Sequence, residues 1–145
     1  MAWAYAERTI DLWVEVIHAA GGGENIQSFL PPSLDRELDY IGLSWPWLAL
    51  PAEIEKTGRD LVARVHGLKT FRHNLVHGTT DMNSPGVVVS TLWKVKGAVR
   101  EEIKTPYTSD QTLKNVTLLV ALVSDLDTFL QTLVSVLDAR HNPPG

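Results

Sequence analysis

Apolar residues along this chain keep two periods. Trp3, Ala6, Ile10, Trp13, Val14 and Ile17 recur every three or four residues, which predicts an amphipathic helix over 2–20, closed by Gly21, Gly22 and Gly23. Its tryptophans read as core. Beyond a loop ending at Pro31 and Pro32, Ser33 is a good N-cap, Asp35 and Glu37 suit the positive helix end, and Leu34, Leu38 and Ile41 form a second stripe. Pro46 is expected to stop that short helix, leaving Trp45 to Leu50 as an aromatic and aliphatic plug over the core. Pro51 suits a first helical position, and Glu53 and Glu55 a first turn, so a third helix is predicted from about residue 51 to His77, with Gly78 at C′.

The period then changes. Thr79 to Gly86 carries loop chemistry, after which Val87, Val89, Thr91, Trp93 and Val95 alternate with more polar neighbours. Lys96 and Gly97 read as a turn and Ala98 to Tyr107 as a returning strand, which together make a β-hairpin. A lone hairpin is marginal in water, so this one must lie on helices or on a partner. Thr108 and Gln111 form a capping box that opens a final helix to about Ala139, with a seam of Val116, Leu119, Val123, Leu126, Leu130, Leu133 and Leu137. The expected fold is all-α: a helical bundle of about four main helices with a β-hairpin insertion between the last two. It is read as a single domain over 1–140, followed by a disordered tail, 141–145.

Composition narrows the function classes. The 145 residues are 44% apolar and 21% charged, which fits a globular domain and excludes a disordered or collagen-like chain. The absence of cysteine removes disulfide scaffolds, thiolate metal sites and thiol nucleophiles. Glu7, Arg8 and Asp11 interrupt the first apolar stretch, so no signal peptide is expected there. The most apolar run, Asn115 to Ser124, is about half the length a bilayer demands. The expectation is a cytoplasmic protein with no membrane association. Thirteen Lys and Arg against 17 Asp and Glu give a net charge of −4, which argues against nonspecific coating of nucleic acid.

Candidate chemistry concentrates in Phe71-Arg72-His73-Asn74-Leu75-Val76-His77-Gly78. On a helical wheel Ile54, Leu61, Val65, Leu68 and Val76 fall within about 40° of Arg72, so this guanidinium sits amid the apolar face near the helix end. It cannot deprotonate to escape burial and needs a carboxylate, carbonyls, a phosphate or the mouth of a cleft. Arg59, His66, Lys69, His73 and His77 gather about 60° to 140° away as a cationic ridge. The segment from Lys56 to Gly78 carries five Lys and Arg against Asp60 alone, a charge of +4 that leaves −8 on the rest of the chain. This set fits metal-independent cleavage of RNA. His77 acts as the main acid or base, Arg72 clamps the phosphate, and His73 orients substrate or supplies the second proton function. Lys69, His66 and Arg59 are the candidate RNA-binding cations, with Lys94, Lys96, Arg100 and Lys104 of the hairpin as a secondary contact.

Arg72-His73-Asn74-Leu75-Val76-His77-Gly78 resembles the signature of the HEPN superfamily, an arginine followed by a polar residue and then, after four to six intervening residues, a histidine near a helix end. It is also similar to the Arg-Asn-x-Leu-Ala-His-Gly variant, departing from it at His73 and Val76. The resemblance implies a HEPN-like helical bundle, with Arg72 and His77 as the defining pair and His73 in the polar position. It implies a homodimer whose two motifs share a cleft, and a metal-independent endoribonuclease acting on single-stranded RNA in toxin–antitoxin or phage-defence systems. An antitoxin protein is then a second partner, and no cofactor is implied. The hairpin would flank the cleft or grip the partner.

Other readings compete. A HEPN-like module without catalysis would serve as a nucleotide- or RNA-binding or dimerisation unit. His77-Gly78 also reads as a plain helix C-cap, and Arg72 as the partner of Asp125 or Asp127. A metal site from His73, His77 and Asp81 is disfavoured, because Asn74 stands where a zinc protease carries its glutamate and Arg72 opposes a cation.

Overall fold

A computed structural model describes residues 2–77, 79–84 and 87–141, without the side chains of residues 75–77, 79–84, Val88 and Lys96. It is mostly helical, with four main helices and a hairpin before the last: α1 (Ala2–Ile17), α2 (Leu34–Leu48), α3 (Ala52–His77) and α4 (Ser109–His141). Three strands, β1 (Thr79–Ser84), β2 (Val87–Lys96) and β3 (Val99–Thr108), lie between α3 and α4. The chain forms two compact units. One contains residues 1–64 and 121–145, the other 65–120, so α3 and α4 each contribute a part to both.

In the first unit the stripe read from α1 is the core stripe: Trp3, Ala6, Ile10, Trp13, Val14 and Ile17 are all buried. They meet Leu38, Ile41, Trp45 and Leu48 of α2, Leu61 of α3, and Leu122, Leu126, Phe129 and Leu133 of α4, which are buried as well. Trp13 anchors this core, its indole N–H donating to the Leu126 carbonyl at 3.1 Å and its ring 4.5 Å from that of Phe129. Gly58 makes the approach of α3 possible. A Cβ there would lie 2.5 Å from the Trp45 ring and 2.7 Å from that of Phe129.

The glycine run ends the first helix as expected: helical turns continue past Ile17 through Ala20, and Gly21, at φ 131° and ψ −4°, breaks the helix before a short turn at Gly23–Asn25. Gly22 is needed for a different reason: the buried Tyr40 hydroxyl takes the space a side chain at 22 would need, 2.1 Å from a Cβ built there, and sits 2.7 Å from His18 Nδ1. Burial pushes the Tyr40 hydroxyl pKa up. Pro46, by contrast, does not stop α2, which runs through it to Leu48. A proline in a last turn forfeits one backbone bond, and the core burial of Trp45 and Leu48 on either side outweighs that loss. Ala49 then takes the left-handed conformation, φ 48° and ψ 47°, and the Arg140 guanidinium donates to the Leu48 and Ala49 carbonyls at the helix end.

Glu37, the one buried carboxylate among the described residues, lies on α2 facing α1. Burial, a hydrogen bond with Asp11 and the like charges of Asp11, Glu7 and Glu15 push its pKa up to about 8.

In the second unit β1, β2 and β3 form an antiparallel sheet in that order, with β2 and β3 in continuous register from Val87↔Thr108 to Lys96↔Val99. The hairpin falls where the alternation places it. Residues 79–84, expected as loop, pair with the other edge of β2 from Thr79↔Thr91 to Ser84↔Val87. Their sequence has no period-2 apolar signal, so only the backbone ladder reveals the strand. The capping box at the start of α4 is present in both directions: Thr108 N–H donates to Gln111 Oε1 at 2.8 Å and Gln111 N–H to Thr108 Oγ1 at 3.1 Å. His141, read as the start of the tail, closes α4. Gly78 and residues 142–145 lie outside the described residues.

Candidate functional site

The last two turns of α3 are held by one face of the hairpin. Ser90 and Tyr107 share that face, since Ser90 pairs with Thr105 and Tyr107 with Val88. Tyr107 packs edge-on against Phe71, ring centroids 5.1 Å apart at 85°, and its hydroxyl accepts from Asn74 Nδ2 at 2.8 Å. Ser90 Oγ donates to the Asn74 carbonyl at 2.5 Å. That carbonyl is among the last four of α3, which have no partner within the helix, so a strand hydroxyl caps it. Asn74 is buried, 6% exposed, with both its side-chain nitrogen and its backbone carbonyl held by the hairpin. Sequence reasoning gave Asn74 no role in holding the fold. Its partners lie 16 and 33 residues away, with no periodic signature to point to them.

With Asn74 turned inward, Arg72 is half-buried and His73 exposed. Val65 and Leu68, which flank Arg72 on the apolar face, are buried as the wheel requires. Lys69 is half-buried and His66 exposed, and Lys69, Arg72 and His73 all have interaction partners. His77 is the last residue of α3, but its side chain and that of Asp81 lie outside the described residues, so the metal alternative His73, His77 and Asp81 does as well. Among the described residues no group of three or more His, Asp or Glu is placed to hold a metal ion.

Arg59 belongs to the first unit and has a structural use there. Its Nε donates to Glu55 Oε2 at 3.1 Å, and its guanidinium lies 5.7 Å from the centroid of the Trp45 ring. Asp125, weighed as a partner for Arg72, pairs with Arg64 at 2.7 Å, and Asp127 accepts from Gln131.

Two concavities accompany these groups. In the first unit a groove of about 540 Å³ runs between α3 and α4, walled by Glu53, Asp60, Arg64 and Asp125 over a floor of Leu61 and Phe129. In the second, a hollow of about 350 Å³ is bounded by Pro106, Tyr107, Gln111, Lys114, Asn115 and Leu118. Tyr107 thus belongs both to the clamp on α3 and to the wall of a hollow that contains a lysine and two amides. Sequence reasoning missed this hollow, because its groups come from a strand end and from the first turns of a helix read for its apolar seam.

No protein-family model, curated protein or solved structure matches the chain.

Proposed function

We propose that the chain is a HEPN-like, metal-independent endoribonuclease acting on single-stranded RNA, as a toxin or phage-defence component. The observation that carries this reading is the fixing of the Arg72–His77 helix end by Tyr107, beside a hollow whose groups suit a nucleotide. Lys114 offers a cation to phosphate, and Gln111 and Asn115 offer amides to a base edge.

In the proposed reaction His77 takes the proton of a 2′-hydroxyl and the freed oxygen attacks the adjacent phosphorus. The bond to the 5′-oxygen breaks and His73 gives that oxygen a proton, leaving a 2′,3′-cyclic phosphate and a 5′-hydroxyl. Arg72 binds two phosphate oxygens as charge accumulates on them. Lys69 and His66 lie on the same helix and in the same unit as the motif and are the RNA contacts of the proposal. Arg59, engaged with Glu55 and Trp45, is left out.

The test is cleavage of a labelled single-stranded RNA by the full chain in excess chelator. Cyclic-phosphate ends are expected from the natural sequence, with loss of at least about a hundredfold in rate for His77→Ala and Arg72→Ala at unchanged melting temperature. Full activity in His77→Ala would sink the assignment. RNA binding without cleavage in the natural chain would replace it with the non-catalytic binding module.

A further inference from the structure

Three polar side chains of α4 line the hollow of the second unit, and helix geometry fixes their order. Lys114, three residues after Gln111, stands about 60° to one side of it, and Asn115, four residues after, about 40° to the other. Gln111 is therefore the middle group of the row. Its polarity is fixed as well. Oε1 accepts from the Thr108 N–H at 2.8 Å, which turns the amide oxygen back toward the helix start and presents Nε2–H2 as the middle group. The row reads donor, donor and, at Asn115, an amide that can turn either way.

We propose that the hollow selects a base with a carbonyl at the centre of its polar edge, guanine first, and rejects adenine and cytosine. The inference deepens the nuclease reading and rests on the hollow being its nucleotide subsite. Guanine offers N7, O6 and N1–H in sequence, two acceptors and a donor. Lys114 donates to N7, Gln111 Nε2 donates to O6, and Asn115 Oδ1 accepts from N1–H. Adenine sets its N6 amino group, a donor, against the Gln111 donor, and cytosine does the same with N4. Uracil keeps the central O4 and the neighbouring N3–H but has no counterpart of N7, so it ranks second.

The remaining walls suit a flat ring. Tyr107 is half-buried with Phe71 edge-on to it, and Pro106 and Leu118 complete an apolar lining on which a base can stack. The volume of about 350 Å³ lies in the range of small-ligand sites. Net charge gives little attraction here. Asp110, exposed and one turn before Lys114, offsets that lysine, and Lys104, two residues before Pro106, is paired with Glu102 at 3.5 Å. The base edge therefore has to carry most of the recognition.

Tyr107 ties the hollow to the motif. It is a wall of the hollow and also accepts from Asn74, the residue next to His73 and two from Arg72. A guanine held there belongs to the strand being cut, and cleavage is expected beside guanines.

The test is an NMR titration of the full chain with the 5′-monophosphates of guanosine, inosine and adenosine, taken to about 5 mM so that millimolar affinities are covered. The three carry the same phosphate, so their ratios report on the base alone. Guanosine and inosine monophosphates share N7, O6 and N1–H and are expected to bind alike, at least about tenfold tighter than adenosine monophosphate. Gln111→Glu keeps an oxygen for the Thr108 cap but replaces the central donor by an acceptor, so it should erase or invert that ratio at unchanged melting temperature. Equal affinity for the guanosine and adenosine nucleotides, binding of neither, or a preference that Gln111→Glu retains overturns the proposal. Mapping the cuts in a labelled single-stranded RNA, in excess chelator, keeps the two readings apart. Cuts indifferent to the base overturn the selection and leave the nuclease standing, whereas guanine-selective binding by a chain that cuts no RNA supports the selection and removes the nuclease.

Discussion

Glu37 makes the stability of the first unit depend on pH in a direction opposite to that of most carboxylates. Its side chain, in a residue only 8% exposed, faces Glu7, Asp11 and Glu15 of α1, and burial together with their charge raises its pKa from an ordinary 4.5 to about 8. The unfolded chain releases this proton near pH 4.5, whereas the native chain holds it until about pH 8. Between those values the native state binds more protons, so stability falls as pH rises and levels off above pH 8. At ~1.4 kcal/mol per pH unit the full window corresponds to ~5 kcal/mol. Solvent reduces that figure. The side chains of Asp11 and Glu15 are 44% and 51% exposed and Arg8 stands 3.9 and 3.7 Å from them, so ~2–3 kcal/mol is the expected size.

Glu37→Gln isolates this effect, because a glutamine amide still donates a hydrogen bond to Asp11 and never ionises. Urea unfolding followed by tryptophan fluorescence at pH 5, 6, 7 and 8.5 gives the comparison. The variant should match the natural chain near pH 5 and exceed it by ~2–3 kcal/mol at pH 8.5. Parallel stability curves for the two proteins across pH 5 to 8.5 would refute the reasoning, since they would show that Glu37 ionises alike in both states.

Two further substitutions test particular contacts. Gly58→Ala improves helix propensity by ~1 kcal/mol, yet its methyl would meet the rings of Trp45 and Phe129, so a net loss of ~1–3 kcal/mol in thermal or urea unfolding is expected, and a gain would contradict the packing. Tyr107→Phe keeps the ring against Phe71 but leaves the Asn74 amide without its acceptor, which should cost ~1–2 kcal/mol and speed hydrogen exchange in the last turns of α3. Exchange as slow as in the natural chain would dissolve the clamp.

Much of this fold was legible because its signals are periodic and local. The stripes of α1 and α2, the alternation of β2 and the Thr108–Gln111 box each lie within a few residues of sequence, and the structure follows them. Glu37 shows how a local reading falls short. As a first-turn acid it suits the helix dipole, yet on the wheel it lies only about 60° from Leu34 and 40° from Ile41, inside the apolar stripe. Glu7, Asp11 and Glu15, four apart on α1, form the acidic row it meets. Both facts stand in the sequence, but their encounter depends on how α1 and α2 pack.

The motif segment divides along the same line. The wheel places Arg72 amid the apolar face defined by Leu61, Val65 and Leu68, and those three are buried while Arg72 is half-buried. That face turns as the helix ends. Leu68, Phe71 and Asn74 are three apart, each step moving the buried side by about 60° toward the hairpin, until a polar Asn lies deepest. A wheel drawn from apolar residues cannot show this rotation, since Asn74 is buried by hydrogen bonds to Ser90 and Tyr107 rather than by hydrophobicity. Burying one polar neighbour completely is also what leaves His73 outward on the turn that holds it. The candidate site is therefore set as much by the strand residues that fix Asn74 as by Arg72 and the histidines themselves.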